Sequence, residues 1–399
     1  MKKRILVIGP GMEIGGVERS LLGLLNAFDY DKVEVDLLLW AHKGDLMPYL
    51  NAAVTLLPEI KRFSYITTPI KSLLKQGHIL AALVRFYAKG VSTVRARLTK
   101  CNTVNASLCN KIFTRFSKKL PKEYDLALGF FGPHFFLDRK VKAKEKIGWV
   151  HTDYTNQAER LDQHFVRPFW SKLDHIACVS HSVKDSFASI FPDMAGKMTV
   201  CENILDPQFV RTQAQAFSVE DEMPKDGSFR ILSVGRFCTA KAFDEAILAC
   251  KLLHKKDPAI KWYFIGYGPD EDKLKTLIQE EGTGTYTILL GKKTNPYPYM
   301  LSCDLYAQPS RYEGKAVTVQ EAQILGKPVL ITEFNTARSQ LVDGYDGYIC
   351  PMGVEGIVSG ITYLRSHPEV QERIVAGCMA TDYRNKDKGS ILSAYFAEG

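Results

Sequence analysis

The chain has 399 residues, a formal net charge of +8, and 46% apolar against 24% charged side chains. Such a length exceeds what one hydrophobic core usually serves and the composition is ordinary for a globular protein, so two domains are expected and disorder is excluded. The nine cysteines include no Cys-x-x-Cys pair and no His cluster lies at metal spacing, so they read as buried reduced thiols of a cytosolic protein, and no metal site is expected.

The start, MKKRILVIGPG, has an apolar core of only Ile5 to Ile8, too short for a signal peptide, and reads as a first strand over Arg4 to Ile8. The loop that follows, GPGMEIGG, invites comparison with a dinucleotide fingerprint. Its glycines, Gly9, Gly11 and Gly15, are wrongly spaced, and the second strand ends LLLW without the acid that would take a ribose hydroxyl pair. Glu18 reads as a cap of the helix after the loop.

Further short apolar runs, Val33 to Trp40, Leu126 to Phe130, Lys146 to Val150 and His175 to Val179, complete one strand series. Within it lies a segment of unusual charge. From Lys61 to Lys122 there are 14 Lys or Arg and no Asp or Glu, which leaves the rest of the chain at about −6. In HILAALVRFYAKGVSTVRARL, Leu80, Leu83, Val84, Tyr87 and Val91 recur at helical spacing as one face. Arg85 and Lys89 interrupt any run of about 20 apolar residues, so the helix reads as lying on an anionic membrane surface rather than spanning one. A solvated basic insertion is the plainer alternative. Nucleic acid is not expected, because no nucleic-acid module is recognisable.

A polar stretch, residues 206–228, reads as a linker. The strand pattern then restarts with Arg230 to Val234, Trp262 to Ile265, Tyr286 to Leu290, Leu305 to Gln308 and Val329 to Thr332. Two doubly wound α/β halves follow, with a ligand expected in a cleft between them. Arg236 and Lys241 come just after the first strand of the second half, where two cations would hold a diphosphate leaving group. Ser310 to Leu330, SRYEGKAVTVQEAQILGKPVL, carries Glu313 and Glu321 around the expected start of a helix, and eight residues at about 100° each bring Glu321 roughly back to the azimuth of Glu313, about 80° from it and about two turns deeper. The amides of Gly314, Lys315, Ala316 and Val317 would offer a diphosphate site at that helix start. The tail from Gln371 to Phe396 reads as helical.

The Glu-x7-Glu element, with EG in front and GKPV behind, resembles the donor-site signature of retaining glycosyltransferases of family 4 (glycosyl transferases group 1). VGRFCTAK, FIGYGPDEDKL, HIACVSHSVKDSF and GMEIGGVERSLLGLL resemble other elements of that family, in its order. One departure is Ala242, where the family commonly has glycine after the lysine. The resemblance implies the GT-B fold, two Rossmann-like domains facing across a cleft: residues 1–205 with the basic insertion at about 61–122, then 229–375 for the nucleotide-sugar, and a helix at 376–399 packing back on the first domain. It implies a hexosyl- or N-acetylhexosaminyltransferase of capsule or surface-polysaccharide type that uses a UDP-sugar, no cofactor and a glycan or lipid-linked acceptor. The enzyme would be cytoplasmic and peripheral on the inner face of the cell membrane. Within that scheme Arg236 and Lys241 bind diphosphate, Glu321 the ribose, and Glu313 and His151 the sugar at the catalytic centre. Gly15 and Gly16 shape the facing loop, and Asp153 is a neighbour of His151. The alternatives are a GT-B nucleotide-sugar epimerase and a non-catalytic lipid- or polyanion-binding protein.

Overall fold

A computed structural model of the chain describes residues 2–99, 104–155, 163–383 and 391–396. They divide into two compact units, the first running to Asn203 and including the described tail residues 391–396, the second beginning at Ile204. The first unit holds β1 (Lys3–Gly9), β2 (Val33–Leu39), β3 (Thr55–Leu56), β4 (Glu123–Gly129), β5 (Lys142–Val150), β6 (His175–Cys178) and β7 (Met198–Val200). The second holds β8 (Phe229–Val234), β9 (Ile260–Ile265), β10 (Thr287–Gly291), β11 (Leu305–Gln308), β12 (Val329–Thr332) and β13 (Tyr348–Cys350).

Both sheets are parallel. Their orders are β3-β2-β1-β4-β5-β6-β7 and β10-β9-β8-β11-β12-β13, two copies of the doubly wound pattern. The reason is legible in the strands themselves. A parallel strand covered by helices on both faces reads as a near-continuous apolar run; all six residues of β8 are buried, and its two polar ones are satisfied, Arg230 by Asp304 and Ser233 by the Ala307 carbonyl. Alternate residues then divide between two cores. Leu232, Val234, Tyr263, Ile265 and Tyr306 pack on one face of the second sheet, and Ile231, Trp262, Phe264, Leu305 and Ala307 on the other.

Residues 206–228, expected as a linker, belong to the second unit instead. Asp206 caps the helix Pro207–Gln213 through the Gln208 and Phe209 amides, and Val210, Val219 and Met223 are buried in that unit's core. The helix expected along the tail is shorter than supposed. It runs Pro368–Ala380, and part of the tail, 384–390 and 397–399, lies outside the described residues. Phe396 makes an antiparallel bridge to Phe28 in the first unit, with the two rings 5.7 Å apart.

Candidate functional site

The order of the second sheet reverses between β8 and β11, neighbours that pair Ile231 with Leu305 and Leu232 with Tyr306. Ligands of doubly wound sheets bind beyond the carboxyl ends of the strands at such a reversal. The loops leaving β8 and β11 therefore define the candidate site.

The β8 loop lies flat on the loop after β9. Gly235 donates its amide to Ile265 at 3.0 Å and Phe237 to Tyr267 at 2.9 Å. This approach requires glycine, because a Cβ on Gly266 would collide with the Gly235 carbonyl and one on Gly268 with the Phe237 backbone. Arg236, carried on this loop, is exposed and has no ion-pair partner among the described residues. Lys241 ends a short turn, Thr239–Lys241. Ala242 after it adopts φ 50° and ψ 36°, the one left-handed non-glycine residue among those described. The departure from glycine noted at this position thus falls where an L side chain is disfavoured.

The β11 loop is an arch held by side chains. Thr332 Oγ1 donates to the Ser310 carbonyl at 2.6 Å and Thr336 Oγ1 to the Glu313 carbonyl at 3.0 Å. Gln340 Oε1 accepts the Ala316 amide at 2.6 Å. The helix begins only at Val317 and runs Val317–Ile324. Glu313 accordingly stands in the loop, and the expected helical relation to Glu321 does not arise. Of the four amides expected to face an anion, that of Ala316 is taken by Gln340, whereas those of Gly314 and Val317 have no acceptor among the described residues.

The two loops meet at Glu313. Its Oε1 accepts from the Lys241 ammonium, from Ser310 Oγ at 2.6 Å and from Gln308 Nε2 at 3.4 Å. Gln308, fully buried, is oriented by Tyr306, whose hydroxyl donates to Gln308 Oε1 at 2.8 Å. Three donors on one oxygen fix the carboxylate. Oε2 receives none of these bonds. Glu321, by contrast, is 0% exposed, and the Tyr297 hydroxyl donates to its Oε1 at 2.7 Å. The Glu321 side chain is interior, and this bond ties the helix Tyr297–Ser302 to the helix Val317–Ile324.

Arg311, not singled out from the sequence, clamps the loops. Its guanidinium donates to the Thr239 carbonyl at 2.8 Å, to Asp244 at 3.0 and 2.8 Å, and to Glu245 at 2.6 Å. Its backbone amide donates to the Ala240 carbonyl at 2.8 Å. The neighbouring Asp244 carboxylate raises the Arg311 pKa further above its ordinary value. The signal was present as an arginine two residues before Glu313 and an acidic pair three residues after Lys241.

In the first unit, His151 follows β5 and is half-buried. Its Nε2–H donates to the Phe130 carbonyl after β4 at 2.8 Å, and its ring lies 4.8 Å from that of Phe130. Burial lowers its pKa to about 4, so it is neutral at pH 7 and Nδ1 carries the lone pair. Asp153 is buried and accepts from the Thr155 amide at 2.9 Å and hydroxyl at 2.7 Å, a local turn. Gly15 precedes the helix Gly16–Ala27 with extended backbone, and the Glu18 carboxylate folds back where a Gly15 side chain would sit. Gly16 is exposed.

Residues 215–377, which contain both site loops, match the family model described as Glycosyl transferases group 1. The chain is 25% identical over 213 residues to the lipopolysaccharide core biosynthesis glycosyltransferase LpsD of Rhizobium meliloti, covering 52% of this chain and 61% of that protein. It is 28% identical over 181 residues to the N-acetylgalactosamine-N,N'-diacetylbacillosaminyl-diphospho-undecaprenol 4-alpha-N-acetylgalactosaminyltransferase of Campylobacter jejuni, covering 45% of this chain and 47% of that enzyme. The chain spans less than two thirds of the length of the curated relatives it matches. The crystal structure of Anabaena Alr3699/HepE in complex with UDP-glucose superposes with a TM-score of 0.67 at 16% identity, covering 99% of this chain and 95% of that one. The expected fold is thereby established as that of GT-B glycosyltransferases, two parallel-sheet Rossmann-like domains.

Proposed function

We propose that this chain is a retaining GT-B glycosyltransferase of family 4 that moves a hexosyl or N-acetylhexosaminyl group from a nucleoside-diphosphate sugar, a UDP-sugar, to a hydroxyl of a lipid-linked or surface-polysaccharide acceptor. One observation carries the reading. At the reversal of the second sheet one loop carries an exposed guanidinium, Arg236, without an ion-pair partner among the described residues, and an ammonium, Lys241, already fixed against a carboxylate, Glu313. That arrangement suits a ligand with a diphosphate and a polyhydroxyl group. A lipopolysaccharide enzyme and a diphospho-undecaprenol enzyme among the relatives, and UDP-glucose bound to a protein of the same fold, support the acceptor and donor classes.

In this scheme Arg236 takes the diphosphate as a planar fork and Lys241 as a point charge, with the Gly314 and Val317 amides beside them. Glu313 Oε2 accepts from the sugar hydroxyls, and so does Nδ1 of the neutral His151. Lys315 flanks the diphosphate, and Gly15 and Gly16 keep the acceptor-side loop open. As the bond between the anomeric carbon and phosphate oxygen breaks, the acceptor oxygen bonds to that carbon on the same face and its proton passes to the leaving phosphate. The two cations offset the charge that grows there, without a metal or resident cofactor. Glu313 positions and is not a nucleophile. The enzyme acts in the cytoplasm, peripheral on the inner face of the membrane, in capsule or related polysaccharide assembly.

The test is a thermal-shift screen against UDP-, GDP- and ADP-sugars, followed by product analysis with the donor that stabilises the protein. Stabilisation by a UDP-sugar and transfer to an added glycan acceptor are expected. Conversion of the donor to an isomer without transfer would make the chain an epimerase instead, and tight binding without turnover would refute an enzymatic role.

A further inference from the structure

The helix Ile79–Thr99 is built inside out. Its small side chains face the protein: Ala82 and Ala88 are 0% exposed, and Ala81 and Ser92 only 8%. Its large apolar side chains face water, with Ile79, Leu80, Leu83, Phe86, Tyr87 and Val94 between 53 and 80% exposed. At 100° per residue these six fall within about 120° of one another, a single stripe. Val84 and Val91, expected on the same face, are half-buried along its edge. A soluble helix presents the opposite arrangement.

The inner face is held firmly, so the outward stripe is not an accident of loose packing. The Arg85 guanidinium donates to the carbonyls of Tyr65 and Thr68, each at 2.6 Å, and the helix packs along the helix Val104–Arg115. Among the described residues no helix is long and apolar enough to cross a membrane. What surrounds the stripe decides its occupant. Residues 61–122 contain no acid, and exposed Lys71, Lys75, Lys89 and Arg97 flank the apolar side chains. Beside the stripe a cleft of about 370 Å³ is lined by Lys89, Ser92, Thr93, Ala96, Arg97 and Asn105, where two cations and the Asn105 amide suit a phosphate, while the Thr93 hydroxyl donates to the Lys89 carbonyl at 2.9 Å.

We infer that this helix lies in the interface of an anionic phospholipid membrane, its stripe among the acyl chains and a lipid phosphate in the Lys89–Arg97 cleft. Charge complementarity separates this from the other occupants. A second copy would set two acid-free, basic surfaces against each other, and a nucleic acid would answer the cations but leave the aliphatic stripe in water. The inference gives residues to the membrane association that the proposed transfer reaction calls for, and rests on that reading only for its purpose. It also accounts for the charge asymmetry of the sequence.

Co-sedimentation with phosphatidylcholine vesicles, with and without phosphatidylglycerol, tests it at low and high salt. The wild type is expected to bind the anionic vesicles, more weakly at high salt. Leu83→Glu combined with Phe86→Glu should lower that binding about tenfold or more, and Lys89→Gln combined with Arg97→Gln should remove the preference for phosphatidylglycerol. All four positions are exposed, and UDP-sugar stabilisation of both variants should equal that of the wild type. Equal binding by wild type and the Glu variant, equal binding to neutral and anionic vesicles, a stripe-dependent dimer in sedimentation velocity, or RNA binding that survives loss of the stripe would each overturn it. Absence of vesicle binding with UDP-sugar stabilisation intact sinks the docking inference alone. Absence of UDP-sugar stabilisation in the wild type sinks the transferase reading alone.

Discussion

Replacing Arg311 with methionine removes the bridge between the two site loops while keeping much of the side chain's apolar length. Four guanidinium bonds, to Thr239, twice to Asp244 and to Glu245, disappear. Hydrogen bonds to charged groups contribute about 1.5–3 kcal/mol each when shielded. The side chains of Arg311 and Asp244 are 26% and 50% exposed, however. Solvent screening therefore reduces the whole cluster to about 1–2 kcal/mol. For a unit of this size the expected fall in Tm is about 2–8 °C. The functional effect should be larger than that small loss suggests, because Thr239 lies two residues before Lys241. If the freed loop must be re-ordered on binding at a cost of about 1–2 kcal/mol, donor affinity falls about tenfold. Calorimetric titration of the UDP-sugar into wild type, Arg311→Met and Arg311→Lys measures this. Lysine keeps the charge but not the planar fork and should fall between the two. A Tm loss of the expected size with unchanged donor affinity would show that the Arg311 amide bond to Ala240 alone holds the loop, and the positioning role would be refuted.

Glu313→Gln should keep the arch, since Ser310 and Gln308 still find an oxygen to donate to, yet lose the charge that fixes Lys241; transfer rates about 100-fold lower with a near-native Tm are expected, in line with loss of a positioning group, and a rate within twofold of wild type would contradict the role. Ala242→Gly relieves a left-handed alanine that costs about 1 kcal/mol, against a similar chain-entropy loss, so denaturant unfolding should show a stability unchanged or raised by up to about 1 kcal/mol; a clear loss would mean that packing of the buried methyl decides. Acid should unfold the first unit through its histidines. His134, buried and accepting from Trp40 Nε1, has its pKa lowered by burial to about 3, and His151 to about 4. Both therefore contribute stability that is whole above the unfolded value of about 6.5 and is lost as pH falls toward those folded values. Tm measured from pH 7 to 4 should decline, and His134→Gln should flatten the decline; parallel curves for the two proteins would refute the assignment.

The sequence showed the two sheets because parallel strands buried on both faces leave near-continuous apolar runs. The strands that escaped notice, β3, β7 and β13, are two or three residues long, too short to make a run. Residues 206–228 were misjudged because their buried side chains, Val210, Val219 and Met223, are spread thinly among polar neighbours. The Glu313–Glu321 relation failed for a different cause. Helical periodicity assumes a helix, whereas the chain from Pro309 to Ala316 is held as an arch by Thr332, Thr336 and Gln340, residues distant in sequence. The same tertiary cause hid Arg311, whose partners belong to the loop and the helix that follow another strand. That Arg236, Lys241 and Glu313 follow strands was legible, because the order of strand and loop is local in the chain. The aliphatic face of the basic helix was visible as a pattern, but its outward direction depends on what packs against the alanines.

The most direct measurement is titration of UDP into the wild-type protein and into Arg236→Ala and Lys241→Ala, with heat and Tm followed together. Binding to the wild type that weakens about tenfold or more in each variant, as expected for loss of a charge-assisted phosphate contact, with unliganded Tm values close to wild type, would place the diphosphate at the reversal of the second sheet. Undiminished UDP binding in both variants would put the nucleotide elsewhere and contradict the site.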